Sequence, residues 1–188
     1  MFMEIVGKDS VKTWRQIIGA TDPAKADVNS LRAKYGVDAT RNAFHGSASP
    51  EEANNEIRKV FALRPACAPE GTPTSVIVIE PTFKAQYPDI LKELFYEINK
   101  RPNIHISGIH TCDPVAADID ELFKAYQGVV PNWRQYCDAF DDGVCIAFEL
   151  VGEDVIAQSR DICGPFDPEI AKLLKPDSIR AKFGVNCV

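Results

Sequence analysis

An internal repeat is the feature that most constrains this chain. Residues 7–23 recur as residues 152–168 at a constant offset of 145 positions, with glycine, arginine, aspartate and proline at matching places. Residues 30–37 recur as 178–185 at an offset of 148, so the second copy has three extra residues in the intervening loop. Two units of this period need about 290 residues, whereas the chain has 188. The repeat therefore predicts two copies of one domain, the first without its beginning and the second without its end.

Composition narrows the class of protein. Hydrophobic residues make up 45% of the chain and charged residues 26%, which is typical of a globular protein. The net charge of −6 argues against a nucleic-acid or membrane-surface partner. No apolar run approaches the roughly 18 residues of a membrane span, and the amino terminus does not resemble a signal peptide. The six cysteines form no Cys-x-x-Cys pair, which favours reduced thiols in a cytoplasmic protein over a disulfide framework.

Local patterns divide the chain at residues 64–73, where three prolines and one glycine in ten residues predict a linker. Before it, we predict two short strands at residues 2–6 and 43–44, with helices between and after them. The last of these helices is expected to begin at Ser49, whose side chain can cap it. Residues 1–63 are thus interpreted as the carboxyl-terminal half of the first copy.

After the linker, residues 74–188 are interpreted as a second domain that lacks its carboxyl-terminal segment. Apolar alternation and short apolar runs predict its strands, and helical spacing predicts the helices between them. The strands are expected at residues 75–79, 104–109 and 144–151, and the helices at about 90–98, 115–126, 131–140 and in the repeated unit. Merging the two copies gives a βαββαβ order. We therefore predict an α+β fold, a ferredoxin-like sheet with helices packed on one face.

A family resemblance rests on residues of the first copy. The pattern Asn-x-x-His-Gly-Ser at residues 42–47, with Arg15, Thr21 and Arg32 at the family's spacing, resembles the carboxyl-terminal half of a nucleoside diphosphate kinase. The tandem copies, and the Gly-Val-Val segment at 128–130, resemble the two-domain members of this family found in ciliary axonemes. The resemblance covers nearly the whole chain outside the linker, and it supports the ferredoxin-like fold.

The resemblance implies that the γ-phosphate of ATP is transferred to nucleoside diphosphates through a phosphohistidine. His45 matches the nucleophile, and a neutral imidazole suits that role because one ring nitrogen keeps a free lone pair near pH 7. Glu56, in the following helix, matches the residue that orients the other ring nitrogen, with Ser47 as a neighbouring partner. These three residues are the predicted catalytic set.

The remaining matches concern the nucleotide. Arg15 and Arg32 match the phosphate clamps, since a planar guanidinium can bond two oxygens at once. Thr21 matches a hydroxyl donor to phosphate, Asn42 matches a contact to the sugar 3′-hydroxyl, and Gly46 belongs to the same binding set. Mg²⁺ is expected with the bound nucleotide, bridging its phosphate oxygens, and no protein metal site is predicted. The sequence has no Gly-x-x-x-x-Gly-Lys loop, which argues against a P-loop fold.

The second copy departs from the family pattern at its own site. Glu80 stands where the family has a phosphate-binding lysine, and its charge would repel phosphate. Phe123 replaces a tyrosine of the phosphate region, and Phe166 occupies the place that Thr21 has in the first copy. Arg160 and Arg180 persist, so the second copy is predicted to hold at most a weak nucleotide site.

Other conspicuous residues have structural explanations. Trp14 is predicted to be a core residue, and His105 and His110 are predicted to be structural. Glu51 and Glu52 stand at the start of a helix and are predicted to be capping charges rather than catalytic carboxylates.

Three interpretations of function stay open at this point. The leading one is a nucleoside diphosphate kinase-like enzyme whose partners are ATP and nucleoside diphosphates, with weak activity in an incomplete chain; a homo-oligomer is compatible with it. The rival is a non-catalytic interaction module of an axonemal microtubule assembly in a cilium. Glu80 and the missing segments favour the rival, and the intact first-copy set favours the enzyme. The third is a fragment of a longer gene product without a stable fold of its own.

Overall fold

The computed structural model describes residues 2–62, 68, 71–130, 132–141 and 143–185. The chain forms two compact units, Met1–Ala66 and Cys67–Val188. Most of the linker predicted at residues 64–73 lies outside the described residues. No helix in the described part of the chain is long and apolar enough to cross a membrane.

The first unit is built from three helices. They are α1 (Ser10–Ile18), α2 (Leu31–Tyr35) and α3 (Pro50–Ala62), with a 3-10 turn at Pro23–Lys25. Ser49 accepts a hydrogen bond from the Glu52 N–H at 3.1 Å, and the Glu52 carboxylate accepts one from the Ala48 N–H at 2.9 Å. This reciprocal capping confirms the predicted start of α3.

The two strands predicted in the first unit are wrong, because the described residues of this unit contain no strand. Val6 is 87% exposed, whereas Val151, its counterpart in the repeat, is 5% exposed in a central strand. A strand needs a neighbour to pair its N–H and C=O groups, and residues 2–6 are extended chain without one among the described residues of the unit. Residues 43–44 lie instead in a tight turn, where the Phe44 N–H donates to the Asn42 carbonyl at 2.9 Å.

The second unit contains a three-stranded antiparallel sheet. Its strands are β1 (Thr74–Ile79), β2 (Ile104–Cys112) and β3 (Cys145–Gly152), in the order β1-β3-β2. These elements confirm the three strands predicted after the linker. The central strand β3 is paired on both edges, and Phe148, Leu150 and Val151 of this strand are buried.

Helices connect and follow the strands of this sheet. They are α4 (Tyr87–Asn99), α5 (Ala116–Phe123), α6 (Trp133–Asp138), α7 (Val155–Cys163), α8 (Pro168–Leu174) and α9 (Ile179–Phe183), with 3-10 turns at Pro81–Gln86 and Lys124–Tyr126. Leu94 of α4 and Ile162 of α7 pack with Phe148 and Leu150 of β3 in one core cluster. The architecture is therefore α+β, as the sequence predicts.

The sequence repeat is also a structural repeat. The helices α1 and α7 each have nine residues, and each is preceded by an aspartate with left-handed backbone. Each ends at a glycine with positive φ, 82° at Gly19 and 80° at Gly164. That backbone favours glycine, because a Cβ there approaches the following carbonyl oxygen. The repeated glycines therefore have a local structural role.

A serine and an arginine complete the repeated unit. Ser30 and Ser178 cap the next short helices by accepting hydrogen bonds from Ala33 N–H and Ala181 N–H. In each copy the arginine two residues later donates to the carbonyl of the glycine at the end of the preceding long helix. Arg32 donates to the Gly19 carbonyl at 2.9 Å, and Arg180 donates to the Gly164 carbonyl at 2.7 Å. Part of the sequence similarity between the copies thus reflects folding rather than a ligand site.

Gly164→Ala is expected to destabilise the second unit by about 3 kcal/mol. About 1–2 kcal/mol comes from the left-handed backbone. The rest comes from the clash of the new Cβ with the Ser178 side chain, since overpacking commonly costs about 1–3 kcal/mol. Urea unfolding in a Trp14→Phe background, where Trp133 fluorescence reports on the second unit, measures this change.

Gly128→Ala is the matched control for that experiment. Gly128 has a φ of 80° but no atom within 4 Å of the added Cβ, so only the backbone strain of about 1–2 kcal/mol is expected. Equal losses of unfolding free energy for the two variants would show that the Ser178 contact is unimportant.

Candidate functional site

An open cleft of about 610 Å³ lies in the first unit. It is lined by every first-copy residue that the sequence assigns to nucleotide binding and by the predicted nucleophile, namely Arg15, Thr21, Arg32, Asn42, His45 and Gly46. Thr40, Arg41, Ala43 and Phe44 complete the lining. Three arginines and no carboxylate therefore border one cavity, which suits an anionic ligand.

The side chain of His45 stands beside the carboxylate of Glu56. The Nε2 atom lies 3.0 Å from Oε1 and 3.1 Å from Oε2 of Glu56, and the Ser47 hydroxyl donates to Oε2 at 2.6 Å. The three residues of the predicted catalytic set are therefore in direct contact. Glu56 is held on α3, whose capped first turn fixes the position of the helix relative to the His45 loop.

This contact determines which ring nitrogen of His45 is available. A neutral ring that donates its Nε2–H to Glu56 keeps the lone pair on Nδ1. The Ser47 hydroxyl, and then the His45 ring, lower the pKa of Glu56, so the carboxylate stays ionised as an acceptor. The His45 side chain is 76% exposed, which leaves it open to a ligand in the cleft.

Arg32 anchors the loop that carries His45. Its side chain is buried, donating from Nε and Nη2 to the Phe44 carbonyl at 3.3 and 2.8 Å, and from Nη1 to the Gly19 carbonyl. These bonds use three of the five N–H groups of the guanidinium, and the other two remain available for an anion. Arg32 therefore has a structural function in addition to any contact with phosphate.

The helix α1 holds the same loop from its other side. The indole Nε1 of Trp14 donates to the His45 carbonyl at 3.0 Å, and Nη1 of Arg15 donates to the Gly46 carbonyl at 3.3 Å. Trp14 is half-buried rather than a core residue, and its contact with the loop was missed in the sequence. A Cβ on Gly46 would lie 2.9 Å from atoms of Trp14 and Ile18, which explains the glycine.

The backbone just before His45 is strained. Ala43 has a φ of 68°, and the hydrogen bond from Phe44 N–H to the Asn42 carbonyl closes a three-residue turn around it. Turns of this kind with positive φ are rare and costly for a residue other than glycine. The bonds from Arg32 and Trp14 to the carbonyls of Phe44 and His45 hold this conformation in place.

Arg41 is a cleft residue that the sequence reasoning missed. Its Nε and Nη2 donate to one carboxylate oxygen of Asp38 at 2.8 and 2.6 Å. The hydrogen bonds from Arg41, its backbone N–H first, lower the pKa of Asp38. The spacing Asp-x-x-Arg at residues 38–41 could have indicated this ion pair in the sequence.

The corresponding region of the second unit has a different character. Glu80 interacts electrostatically with Arg180, whose guanidinium lies 6.0 Å from the ring centre of Phe166. Burial raises the pKa of Glu80, while a hydrogen bond from Thr82 and the charge of Arg180 oppose that rise. Arg160 is exposed on α7. In the second unit, Arg180 therefore has the Glu80 carboxylate and the Phe166 ring as neighbours, and the negative charge of Glu80 disfavours phosphate.

The residues that the structure describes contain no group of three or more His, Cys, Asp or Glu side chains that could hold a metal ion. Mg²⁺ retains several waters and commonly binds through substrate phosphates. The cleft lining offers hydrogen-bond donors for phosphate and no carboxylate, so any Mg²⁺ there would be held by the phosphate oxygens of a nucleotide and by water.

Comparisons with known proteins show the family to which the chain belongs. The nucleoside diphosphate kinase family model matches residues 1–65 and 76–188. The chain is 31% identical over 189 residues to nucleoside diphosphate kinase homolog 7 of Rattus norvegicus, an alignment that covers 97% of this chain and 47% of that protein. It is 45% identical over 56 residues to the nucleoside diphosphate kinase of Beijerinckia indica, covering 30% of this chain and 40% of that one.

A solved structure supports the fold. The Aquifex aeolicus nucleoside diphosphate kinase superposes with a TM-score of 0.54 at 24% identity, covering 62% of this chain and 80% of that chain. The chain spans about half the length of its rat relative. Its fold is the α+β, ferredoxin-like fold of these enzymes, and the chain belongs to the nucleoside diphosphate kinase family.

Proposed function

We propose that this chain accepts the γ-phosphoryl group of a nucleoside triphosphate on His45 and passes it to a nucleoside diphosphate. The observation that carries the proposal is the 3.0 Å contact between His45 Nε2 and Glu56 at a cleft bordered by three arginines. It combines an oriented nucleophile with a site for anionic phosphate. Arg15, Arg32, Thr21 and Asn42 are the proposed nucleotide contacts.

In the first half-reaction the lone pair on Nδ1 of His45 attacks the γ-phosphorus in line with the bridging oxygen. The bond from phosphorus to that oxygen breaks, and the nucleoside diphosphate leaves. Positive charge develops on the ring as Nδ1 is bonded, and the Glu56 carboxylate stabilises it through the Nε2–H hydrogen bond. In the second half-reaction a terminal oxygen of another diphosphate attacks the same phosphorus, and Nδ1 leaves.

Electrostatics and positioning supply most of the catalysis in phosphoryl transfer. In the proposed reaction, Arg15 and the two N–H groups of Arg32 that make no bond to the protein neutralise charge on the transferring group. Arg41 contributes less, because its guanidinium is already paired with Asp38. Mg²⁺ bound to the nucleotide supplies further neutralisation of the phosphate oxygens. The bonds from Arg32 and Trp14 to the Phe44 and His45 carbonyls hold the loop that carries the ring, so little backbone reorganisation is expected when the ring reacts.

Labelling of the full chain tests the proposal. Incubation with γ-labelled ATP and Mg²⁺ should give a label that is lost in acid and kept in base, as expected for a phosphoramidate. ATP labelled at the α-position should give none, and GDP added afterwards should remove the label as labelled GTP. An acid-stable label, or label from the α-position, would contradict the mechanism.

Glu56→Ala is expected to lower the rate of labelling by about 100-fold and Glu56→Gln by about tenfold, since a partner that orients a functional histidine is commonly worth these factors. Glutamine keeps an acceptor for Nε2–H but loses the charge. Initial rates measured over a range of ATP concentrations separate an effect on reaction from one on binding. Glu51→Gln, an exposed carboxylate on the same helix, is the control and should react at the parent rate.

A non-catalytic interaction role in an axonemal microtubule assembly is the second candidate. The Glu80 carboxylate, which interacts electrostatically with Arg180 in the second unit, favours this role because its negative charge opposes phosphate binding. The two candidates make different predictions for nucleotide stoichiometry. We expect one ADP per chain by calorimetry, lost in a Thr21→Ala, Arg15→Ala double variant. No ADP binding at all would favour the second candidate. Two ADP molecules bound per chain with similar affinity would contradict the prediction that the second unit holds at most a weak nucleotide site.

A further inference from the structure

Two cysteines face each other across neighbouring strands of the second unit. Cys112 is the last residue of β2, Cys145 is the first residue of β3, and the two are register partners in the antiparallel pair. Opposed residues in such a pair have Cα atoms about 4.5–5.5 Å apart. Disulfides span Cα separations of about 4.4–6.8 Å. The backbone therefore places this pair within bonding range without a change of register.

The two thiols differ in accessibility. They share a hydrogen bond, and Cys112 is exposed whereas Cys145 is 1% exposed. Cys145 packs with Ile119, Cys137 and Phe140 in the second core cluster. Burial, and then the neighbouring Cys112, raise the pKa of the Cys145 thiol to about 11. A reagent in solution therefore reaches Cys112 first, and Cys145 reacts through its neighbour.

We propose that Cys112 and Cys145 are a site of reversible oxidation to a disulfide, with a small disulfide such as oxidised glutathione as the oxidant. The inference concerns the second unit and does not rest on the proposed phosphoryl transfer. The segment 113–144, which carries α5 and α6, joins the two cysteines along the chain. The disulfide would join both ends of this segment where β2 ends and β3 begins.

The chemistry balances in two exchange steps. The Cys112 thiolate attacks one sulfur of oxidised glutathione, the glutathione S–S bond breaks, and one glutathione thiolate leaves and takes up a proton. Cys145 then loses its proton and its sulfur attacks Sγ of Cys112 in the mixed disulfide, which expels the second glutathione. Two protein thiols are oxidised in total, and one glutathione disulfide is reduced to two glutathione thiols.

Sequence spacing alone does not reveal this site. Six cysteines without a Cys-x-x-Cys motif favour dispersed thiols, and 33 positions separate Cys112 from Cys145. The pairing follows from the strand register, which brings the end of β2 to the start of β3. The described residues hold two further free cysteines, and both lie outside this strand pair, Cys137 on α6 and Cys163 on α7.

The test uses the full-length chain in glutathione buffers of increasing oxidised fraction, quenched with acid. After alkylation with N-ethylmaleimide and digestion without reductant, mass spectrometry should show a cross-linked peptide containing Cys112 and Cys145. Alkylation of Cys112 should fall about tenfold in the most oxidising buffer and return after dithiothreitol. Cys163→Ser is the control, and it should keep the cross-link.

Two single variants separate the steps. Cys145→Ser should stop at glutathione attached to Cys112, and Cys112→Ser should leave Cys145 without glutathione. In the parent chain, oxidation that stops at glutathionylated Cys112, or a cross-link from Cys112 to any other cysteine, would overturn the proposal. The absence of any oxidation of Cys112 would overturn it as well.

Discussion

His45→Ala is expected to abolish phosphoryl acceptance by this chain, with labelling from γ-labelled ATP reduced to background. The imidazole is the nucleophile in the proposed reaction, and alanine offers no lone pair in its place. Quantitative autoradiography of the full chain, with samples kept at alkaline pH, measures the remaining label. A label that survives the substitution would show that another residue accepts the phosphoryl group.

The loss should not come from unfolding. The His45 ring is 76% exposed and its side chain bonds to Glu56, while the bond from Trp14 reaches the His45 backbone and persists in the alanine variant. Circular dichroism and thermal unfolding of His45→Ala should therefore match the parent chain. His105→Ala, which removes an exposed imidazole from β2, is the matched control and should label at the parent rate.

Arg32→Ala is expected to lower the labelling rate by several hundred-fold. The variant loses a proposed phosphate contact, and removing one such charged donor commonly costs about 10²–10³ in rate. It also leaves the Gly19 and Phe44 carbonyls without their arginine donor, at about 1–3 kcal/mol for each carbonyl that stays unsatisfied. Arg32→Lys should recover only part of the rate, because an ammonium cannot reproduce the planar fork. Initial rates of labelling and urea unfolding measure the two consequences separately.

The repeat supplies an internal control for Arg32. Arg180 makes the equivalent bond to the Gly164 carbonyl in the second unit, so Arg180→Ala should lose a comparable structural contact. We expect it to lower the stability of the second unit while the labelling rate stays within about twofold of the parent, since Glu80 and Phe166 make that region unsuited to phosphate. Equal loss of labelling in both variants would contradict the assignment of the reaction to the first unit.

The elements of the second unit could be predicted because its strands and helices bury apolar residues with regular periods. Ile77 and Ile79 of β1 are buried and Val76 and Val78 are exposed, so the period is visible in the burial itself. The strand expected at residues 2–6 has the same apolar character but no strand beside it in the first unit. The β-propensity of residues 2–6 is not sufficient to form a strand, since a strand depends on a neighbouring strand for its backbone hydrogen bonds.

The sequence proposes a set of site residues but not their geometry. The family resemblance selects His45, Glu56 and Arg32, and the structure adds how these side chains are held. The indole bond of Trp14 to the His45 carbonyl and the strained turn at Ala43 depend on through-space contacts between α1 and the loop. Neither the Trp14 bond nor the Ala43 turn produces a periodic pattern in the sequence. Both could therefore be seen only in the structure.

The position of the phosphoryl group on the imidazole ring tests the central claim most directly. Nε2 of His45 lies 3.0 Å from Oε1 of Glu56, and the proposed reaction therefore uses the lone pair on Nδ1. We would phosphorylate the ¹⁵N-histidine-labelled chain with ATP and Mg²⁺ and record ³¹P and ¹⁵N spectra at alkaline pH. We expect one phosphohistidine, at Nδ1 of His45. A phosphoryl group on Nε2, or on a residue other than His45, would contradict it.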